Sequence, residues 1–232
     1  MESVIFTPRL KLTLVTTAER GSKELEWLHE LRSDEKVTWW SLSGRSKSLE
    51  DTEKVIEKIL PKQVTNNDED KTFRIPYAVH ELLPTTNSNS GLAAQNDRPS
   101  RFIGLITLQS LESRDLVLPP HLFPDSTQSS PNVLTIEVGY QYLPVAWGKG
   151  YGTESVGAVF DACKRAPAFW NPYEKVFVRA IVNAENPASQ RVMAKVGMPL
   201  LGIYEWNGEA IYIAGQWREK DELNVYGMFL VE

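Results

Sequence analysis

Residues 133–155 read VLTIEVGYQYLPVAWGKGYGTES. The first part, 133–143, is apolar enough and long enough for a buried strand. It runs through Pro144 into three glycines in five positions, Gly148, Gly150 and Gly152, and then into a helical pattern over 152–165. A strand, a glycine turn and a helix in direct succession commit the chain to a β–α unit whose helix N-terminus opens at the end of a sheet. The first N–H groups of such a helix have no partner within the helix and carry partial positive charge. Glycines ahead of them let an anion approach the backbone without meeting a Cβ. The arrangement suits a phosphate or pyrophosphate, and Lys149 adds a cation. A P-loop is excluded, because no Ser or Thr follows Lys149, and the dinucleotide fingerprint is excluded because the third glycine comes one place early. Taken alone, the turn is also compatible with a tight bend that holds no ligand.

The other segments supply a mixed sheet. Alternation over 8–15 predicts a strand, and Leu25, Leu28 and Leu31 place a helix within 22–40 that ends in Trp39 and Trp40. Ser48 ahead of acidic residues starts a second helix over 48–60. Strands follow at 73–82, where Pro76 points to an edge or a bulge, and at 101–111. Polar segments 84–100 and 112–132 read as long loops that overhang one end of the sheet. A strand at 175–182, a helix at 187–196 and closing strands at 201–205, 210–216 and 222–230 complete the chain. Residues 1–232 are therefore expected to form a single α/β (α+β) domain. Its central sheet would be mixed and mostly antiparallel, with about six or seven strands and about four helices.

Composition removes several function classes. Net charge is −5, from 25 Lys+Arg against 30 Asp+Glu, so nucleic acid is not an expected partner. No apolar run approaches the ~20 residues a membrane span needs, and 1–15 lacks the apolar core of a signal peptide. The single cysteine, Cys163, lies in an apolar helical context and fits a reducing compartment, by default the cytoplasm with the nucleus open. His29, His80 and His121 are scattered without ligand spacing, so no metal site is expected.

A second motif gives the glycine turn a context. Residues 183–197 read NAENPASQRVMAKVG. With the turn, this stretch resembles the GNAT acyl-CoA N-acyltransferase superfamily. The superfamily's loop is [Q/R]-x-x-G-x-[G/A], matched by Gly150 and Gly152, while Trp147 stands where Gln or Arg is usual. That departure is similar to the branch of ribosomal-protein alanine and serine N-acetyltransferases, whose loop reads W-G-K-G-[YF]-[AG]-T-E. The same branch carries N-x-x-S-x-[RK]-V-x-x-K-x-G, matched by Asn186, Ser189, Arg191, Val192, Lys195 and Gly197. Trp217, Asp221, Tyr226 and Gly227 echo its C-terminal pattern.

The resemblance implies acetyl-CoA as acyl donor, held where strands 133–143 and 175–182 splay apart. Tyr142, Leu143 and Pro144 occupy the register that pairs with the pantetheine arm, and the Tyr142 N–H is the implied donor to the developing oxyanion. The pyrophosphate would lie on the N–H groups of Gly148, Lys149, Gly150, Tyr151, Gly152 and Thr153, Trp147 opens that loop, and Asn186 is an implied pantetheine contact as well as a helix cap. Glu137 is the implied general base, although strand parity puts it on the face of Gly139 and Gln141, opposite Tyr140 and Tyr142, unless a bulge intervenes. Met193 stands where many members carry an acidic tyrosine, so the acid role maps to Ser189, which also suits the polar first turn of a helix capped by Asn186. Trp39, Trp40, Glu205, Trp206 and Glu209 are candidates for the acceptor side. The implied reaction is direct acetyl transfer to a primary amine of a peptide, protein or small molecule, in a monomer or homodimer. A catalytically silent acyl-CoA sensor is the alternative.

Overall fold

The computed structural model describes residues 1–61, 72–84, 98–112 and 115–232. Its frame is one eight-stranded sheet in the order β1-β2-β3-β4-β5-β6-β8-β7. The strands are β1 (Val4–Phe6), β2 (Leu10–Leu14), β3 (Arg74–Leu82), β4 (Ser100–Ser110), β5 (Val133–Tyr142), β6 (Lys175–Asn183), β7 (Leu200–Ile213) and β8 (Gln216–Val231). Every neighbouring pair is antiparallel except β5 and β6, which are parallel. The helices are α1 (Lys23–Ser33), α2 (Leu49–Ile56), the single turn α3 (Ser126–Ser129), α4 (Tyr151–Lys164) and α5 (Pro187–Lys195).

Helix starts follow from local chemistry. The Ser22 side chain accepts from the Leu25 N–H, and Ser48 and Asp51 form a reciprocal capping box that satisfies two otherwise orphaned donors. The Asn186 side chain accepts from the Ser189 N–H, with Pro187 at the first helical position, where its missing N–H costs nothing.

Both faces of the sheet are covered, by different helices. Leu134, Ile136 and Val138 of β5 bury against Val156, Val159, Phe160 and Cys163 of α4 and Met193 of α5. The opposite face buries Ala78, Phe102, Leu105 and Leu143 against Leu25, Leu28 and Leu31 of α1 and Ile56 of α2. Cys163 is packing material, and burial pushes its thiol up to about 12.

Four sequence expectations need correction. The sheet has eight strands rather than six or seven; β1 precedes the first expected strand, and the three expected closing segments are two long strands that meet at Ala214–Gly215. Both residues of that tip have positive φ, 51° and 78°, which lets a two-residue turn follow the sheet twist. Second, β3 is an interior strand. Pro76 is tolerated because its carbonyl accepts from the Val15 N–H, so its donor-less nitrogen faces β2 beyond the last paired residues, Leu14 and Tyr77. Third, the first helix ends at Ser33, and Trp39 and Trp40 lie on the turns that follow it. Fourth, the described part of 112–132 packs against the sheet, burying Leu118 and Leu122 with Val225. Most of the loop expected over 84–100, at 85–97, lies outside the described residues, as do 113–114. Among the described residues no helix is long and apolar enough to cross a membrane.

One core group sets an acid limit on stability. His80 is buried against Trp27 and Phe102. Desolvation, with Lys11 adding, lowers its pKa from 6.5 to about 4. The unfolded chain then takes up a proton that the folded protein refuses, so stability is full above about pH 6.5 and falls as pH drops towards 4. A shift of this size corresponds to on the order of 3 kcal/mol. Urea midpoints at pH 7 and pH 4.5 are expected to differ less in His80→Leu than in the parent; an equal loss in both would show that other groups set the acid limit.

Candidate active site

The parallel pairing of β5 with β6 runs from Val133↔Lys175 to Glu137↔Arg179 and stops. Beyond that point β5 stays paired to β4 as far as Gly104↔Tyr142, and β6 stays paired to β8 as far as Asn183↔Leu223. The two strands therefore diverge, and a wedge opens in the middle of the sheet. Alternation decides which backbone groups face it. The Leu143 N–H donates to the Ile103 carbonyl of β4 at 2.8 Å, so the N–H and C=O of Tyr142 point the other way, into the wedge. The Tyr142 carbonyl accepts from Trp147 Nε1 at 2.7 Å. With both sides of the Tyr142–Leu143 peptide bonded, the orientation of this strand end is held. A cleft of about 650 Å³ fills the wedge.

The glycine turn forms one wall. Gly148 and Gly150 adopt φ of 73° and 79°, the left-handed region that a side chain disfavours. Gly150 is the N-cap of α4 and offers no side chain to the helix donors. The N–H groups of Tyr151, Gly152 and Thr153 are thus left for a ligand, and all three residues line the cleft together with Trp147, Gly148 and Gly150. Gly152 has another role. A Cβ there would meet Val192 Cγ2 at 3.3 Å and Tyr142 Cε2 at 3.5 Å, so the third glycine allows α4 to pack closely on α5 and on the strand end. The first carboxylate of α4, Glu154, is turned out of the cleft to Thr7 (2.5 Å) and Arg9 Nε (2.7 Å).

Two expected contacts fall outside the cleft. Lys149 turns to the back of the turn, where its Nζ lies 3.6 Å from Glu81 Oε1 and above the Tyr151 ring, and it does not line the cleft. The Leu143 side chain is buried against α1 and its N–H is used by β4. The positive charge comes instead from Arg191 and Lys195, one helical turn apart on α5, and from Lys36 after α1. The i, i+4 spacing of Arg191 and Lys195 was the sequence signal for this.

Hydroxyl pairs link the walls. The Tyr142 hydroxyl lies 2.6 Å from Ser155 Oγ, which donates to the Tyr151 carbonyl at 2.6 Å. The phenol must therefore be the donor to Ser155, and this bond ties the end of β5 to the first turn of α4. The Tyr140 hydroxyl lies 2.6 Å from Ser189 Oγ, and both residues line the cleft with Asn186. Burial raises the Tyr140 phenol to about 12, so it is a protonated donor at neutral pH. Met193 is fully buried. Tyr140 is a site residue that sequence reasoning missed; its shared parity with Tyr142 was the available signal.

Glu137 stands at the closed end of the wedge. β5 pairs with β4 in unbroken register, so no bulge changes its facing, and it lies on the opposite face from Tyr140 and Tyr142. It does not line the cleft itself. Its carboxylate accepts from Arg179 Nε at 2.9 Å, and Arg179 Nη2 donates to the Leu116 carbonyl at 3.2 Å. Its side chain keeps 39% of its surface open. Burial of the surrounding pocket raises its pKa, Arg179 opposes that shift, and Asp115 adds to it.

Trp39 and Trp40 both line the cleft. The Trp39 carbonyl accepts from the Ala214 N–H at 2.8 Å, which docks the β7–β8 tip on this loop, and Arg218 lies over the Trp40 ring. Glu205, Trp206 and Glu209 are on β7 and are not among the lining residues. Among the described residues no group of three or more His, Cys, Asp or Glu is placed to hold a metal ion.

Comparison with known proteins adds to this geometry. The acetyltransferase (GNAT) domain family matches residues 9–199. Among solved structures, a GNAT-family acetyltransferase from Bacillus anthracis is 18% identical with a TM-score of 0.56, covering 98% of both chains. A ribosomal-protein-S5-alanine acetyltransferase from Vibrio fischeri is 14% identical with a TM-score of 0.57, covering 98% of this chain and 96% of that one. A spermidine N-acetyltransferase from Vibrio cholerae, in complex with CoA and spermine, is 16% identical with a TM-score of 0.53, covering 94% and 95%. At these identities the likeness is one of fold. No curated protein sequence matches significantly.

Proposed function

The chain belongs to the acetyltransferase (GNAT) domain family, and from that premise we propose that it transfers an acetyl group from acetyl-CoA directly to a primary amine in the β5–β6 wedge. One observation carries the proposal: the Tyr142 N–H points into a gap that opens next to an uncapped helix N-terminus. The residues fit such a donor. Its pyrophosphate finds the N–H groups of Tyr151, Gly152 and Thr153, with Arg191 and Lys195 as counter-charges. Its pantetheine amides find the gap-facing backbone of Tyr140.

Each step then has a residue. Glu137 takes a proton from the acceptor ammonium, approaching from the far face of the sheet, and its burial-raised pKa suits a base. The neutral nitrogen attacks the thioester carbonyl, and the Tyr142 N–H stabilises the charge that develops on its oxygen. As the C–S bond breaks, the attacking nitrogen loses its second proton to solvent, and the leaving thiolate takes the Ser189 hydroxyl proton, which Tyr140 replaces across their 2.6 Å hydrogen bond. Solvent returns the proton to Tyr140.

Thiol release from acetyl-CoA across a panel of primary amines tests the reading. Amine-dependent release is expected. CoA binding with no turnover of any amine would identify a silent acyl-CoA sensor instead, and failure to bind CoA would overturn both.

A further inference from the structure

The charges around the cleft constrain the acceptor, an inference that rests on the transfer reading above. Among the described residues three cations line the cleft, Lys36, Arg191 and Lys195, and no aspartate or glutamate does. Arg191 and Lys195 belong to the α5 wall and are occupied by the donor's phosphates in that reading. Lys36 belongs to the facing wall, with Val37, Trp39 and Trp40, and has no carboxylate partner among the described ion pairs.

A second cation lies behind that wall. Arg32 of α1 is 4% exposed. Its Nη1 donates to Ser41 Oγ at 3.0 Å and to Gln141 Oε1 at 3.4 Å, and its Nη2 donates to the Gly44 carbonyl at 2.6 Å. All three acceptors are neutral, and its Nε is buried without a partner. A buried cation among neutral groups is costly and raises the local positive potential. Gln141 transmits it: with its carbonyl oxygen held by Arg32, its amide N–H₂ is left for the cleft, which Gln141 lines. This end of the cleft therefore presents an ammonium and amide donors backed by a guanidinium, and no aspartate or glutamate stands among its described lining residues.

We propose that the acceptor is a small amine that carries its own carboxylate, of the amino-acid type, and that Lys36 and Gln141 hold that carboxylate. Gln141 is next in sequence to Tyr142, whose N–H marks the acetyl carbonyl. An anion held there lies within a few bonds of the attacking nitrogen, which fits an amine and a carboxylate on nearby carbons. A polyamine would bring further positive charge to Lys36 and Arg32 and find no carboxylate among the described lining residues.

The test compares kcat/KM for free amino acids, their carboxamides, short peptide amides and spermidine, each with saturating acetyl-CoA. Amino acids are expected to exceed their own carboxamides by about tenfold or more, because the amide leaves the Lys36 charge unpaired. In Lys36→Met that ratio is expected to fall towards one, with KM for acetyl-CoA unchanged. Equal or better use of carboxamides, peptide amides or spermidine would overturn the assignment while leaving amine acetylation standing, as would an acid-to-amide ratio that Lys36→Met does not change. No turnover of any amine would overturn the transfer reading as well.

Discussion

Glu137→Gln is expected to lower kcat by about 10²- to 10⁴-fold, the range for losing a positioned general base, with KM for acetyl-CoA close to the parent value. The substitution keeps size and shape. It removes the proton acceptor and leaves every group of the anion cradle in place, because Glu137 sits on the opposite face from α4 and α5. The pH profile is a second readout. Burial holds the Glu137 carboxyl above its usual range, so the acid limb of kcat/KM should lie above that of an exposed carboxylate and disappear in the glutamine variant. Stability must be followed in parallel, since the variant strands the buried Arg179 guanidinium beside a neutral amide. A folded Glu137→Gln protein that keeps more than about half of the parent kcat would remove Glu137 from the base role.

The second large effect is on stability. Gly104→Ala is expected to cost about 2–4 kcal/mol, within the range for overpacking that the neighbours cannot relieve. A Cβ at Gly104 would lie 2.5 Å from the Gln141 carbonyl oxygen and 2.5 Å from Tyr142 Cδ1. The first is backbone in a paired strand, so β4 and β5 must part at the mouth of the wedge. That movement would also displace the Tyr142 N–H, and kcat should fall more than the lost stability alone explains. Gly157, inside α4, is the control: nothing lies within 4 Å of its Cβ position. Gly157→Ala should gain about 0.5–1 kcal/mol from helix propensity. Urea unfolding of the two variants checks both signs, and a Gly104→Ala protein as stable as the parent would contradict the close approach of Tyr142.

What the sequence revealed depended on how local each feature is. The β5–turn–α4 unit was legible because a strand period, a proline and left-handed glycines are local signals, and helix α4 starts one residue from its expected place. The caps at Ser48 and Asn186 were legible for the same reason. Directions across elements were not. Lys149 sits inside the anion loop in sequence, yet Glu81, 68 places away on β3, draws it to the far side. Parity separated Tyr140 from Glu137, but only the fold shows that the Tyr140 hydroxyl meets Ser189 on α5. Arg32 reads as an ordinary helical arginine until the loop through Ser41 and Gly44 closes around it. The closing strands were misdivided because the polar residues Asn207–Glu209 suggest a turn. There the structure keeps β7 running, with its pairing to β8 irregular between Asn207 and Ile211.

The central claim is direct transfer from acetyl-CoA to an amine held in the same cleft. Initial rates with both substrates varied test it most directly, measured as free thiol and as N-acetylated product. Intersecting double-reciprocal lines with one thiol per acetylated amine are expected, because no cysteine lines the cleft among the described residues and Cys163 is buried inside α4. Parallel lines, or thiol released without acetylated amine, would contradict it.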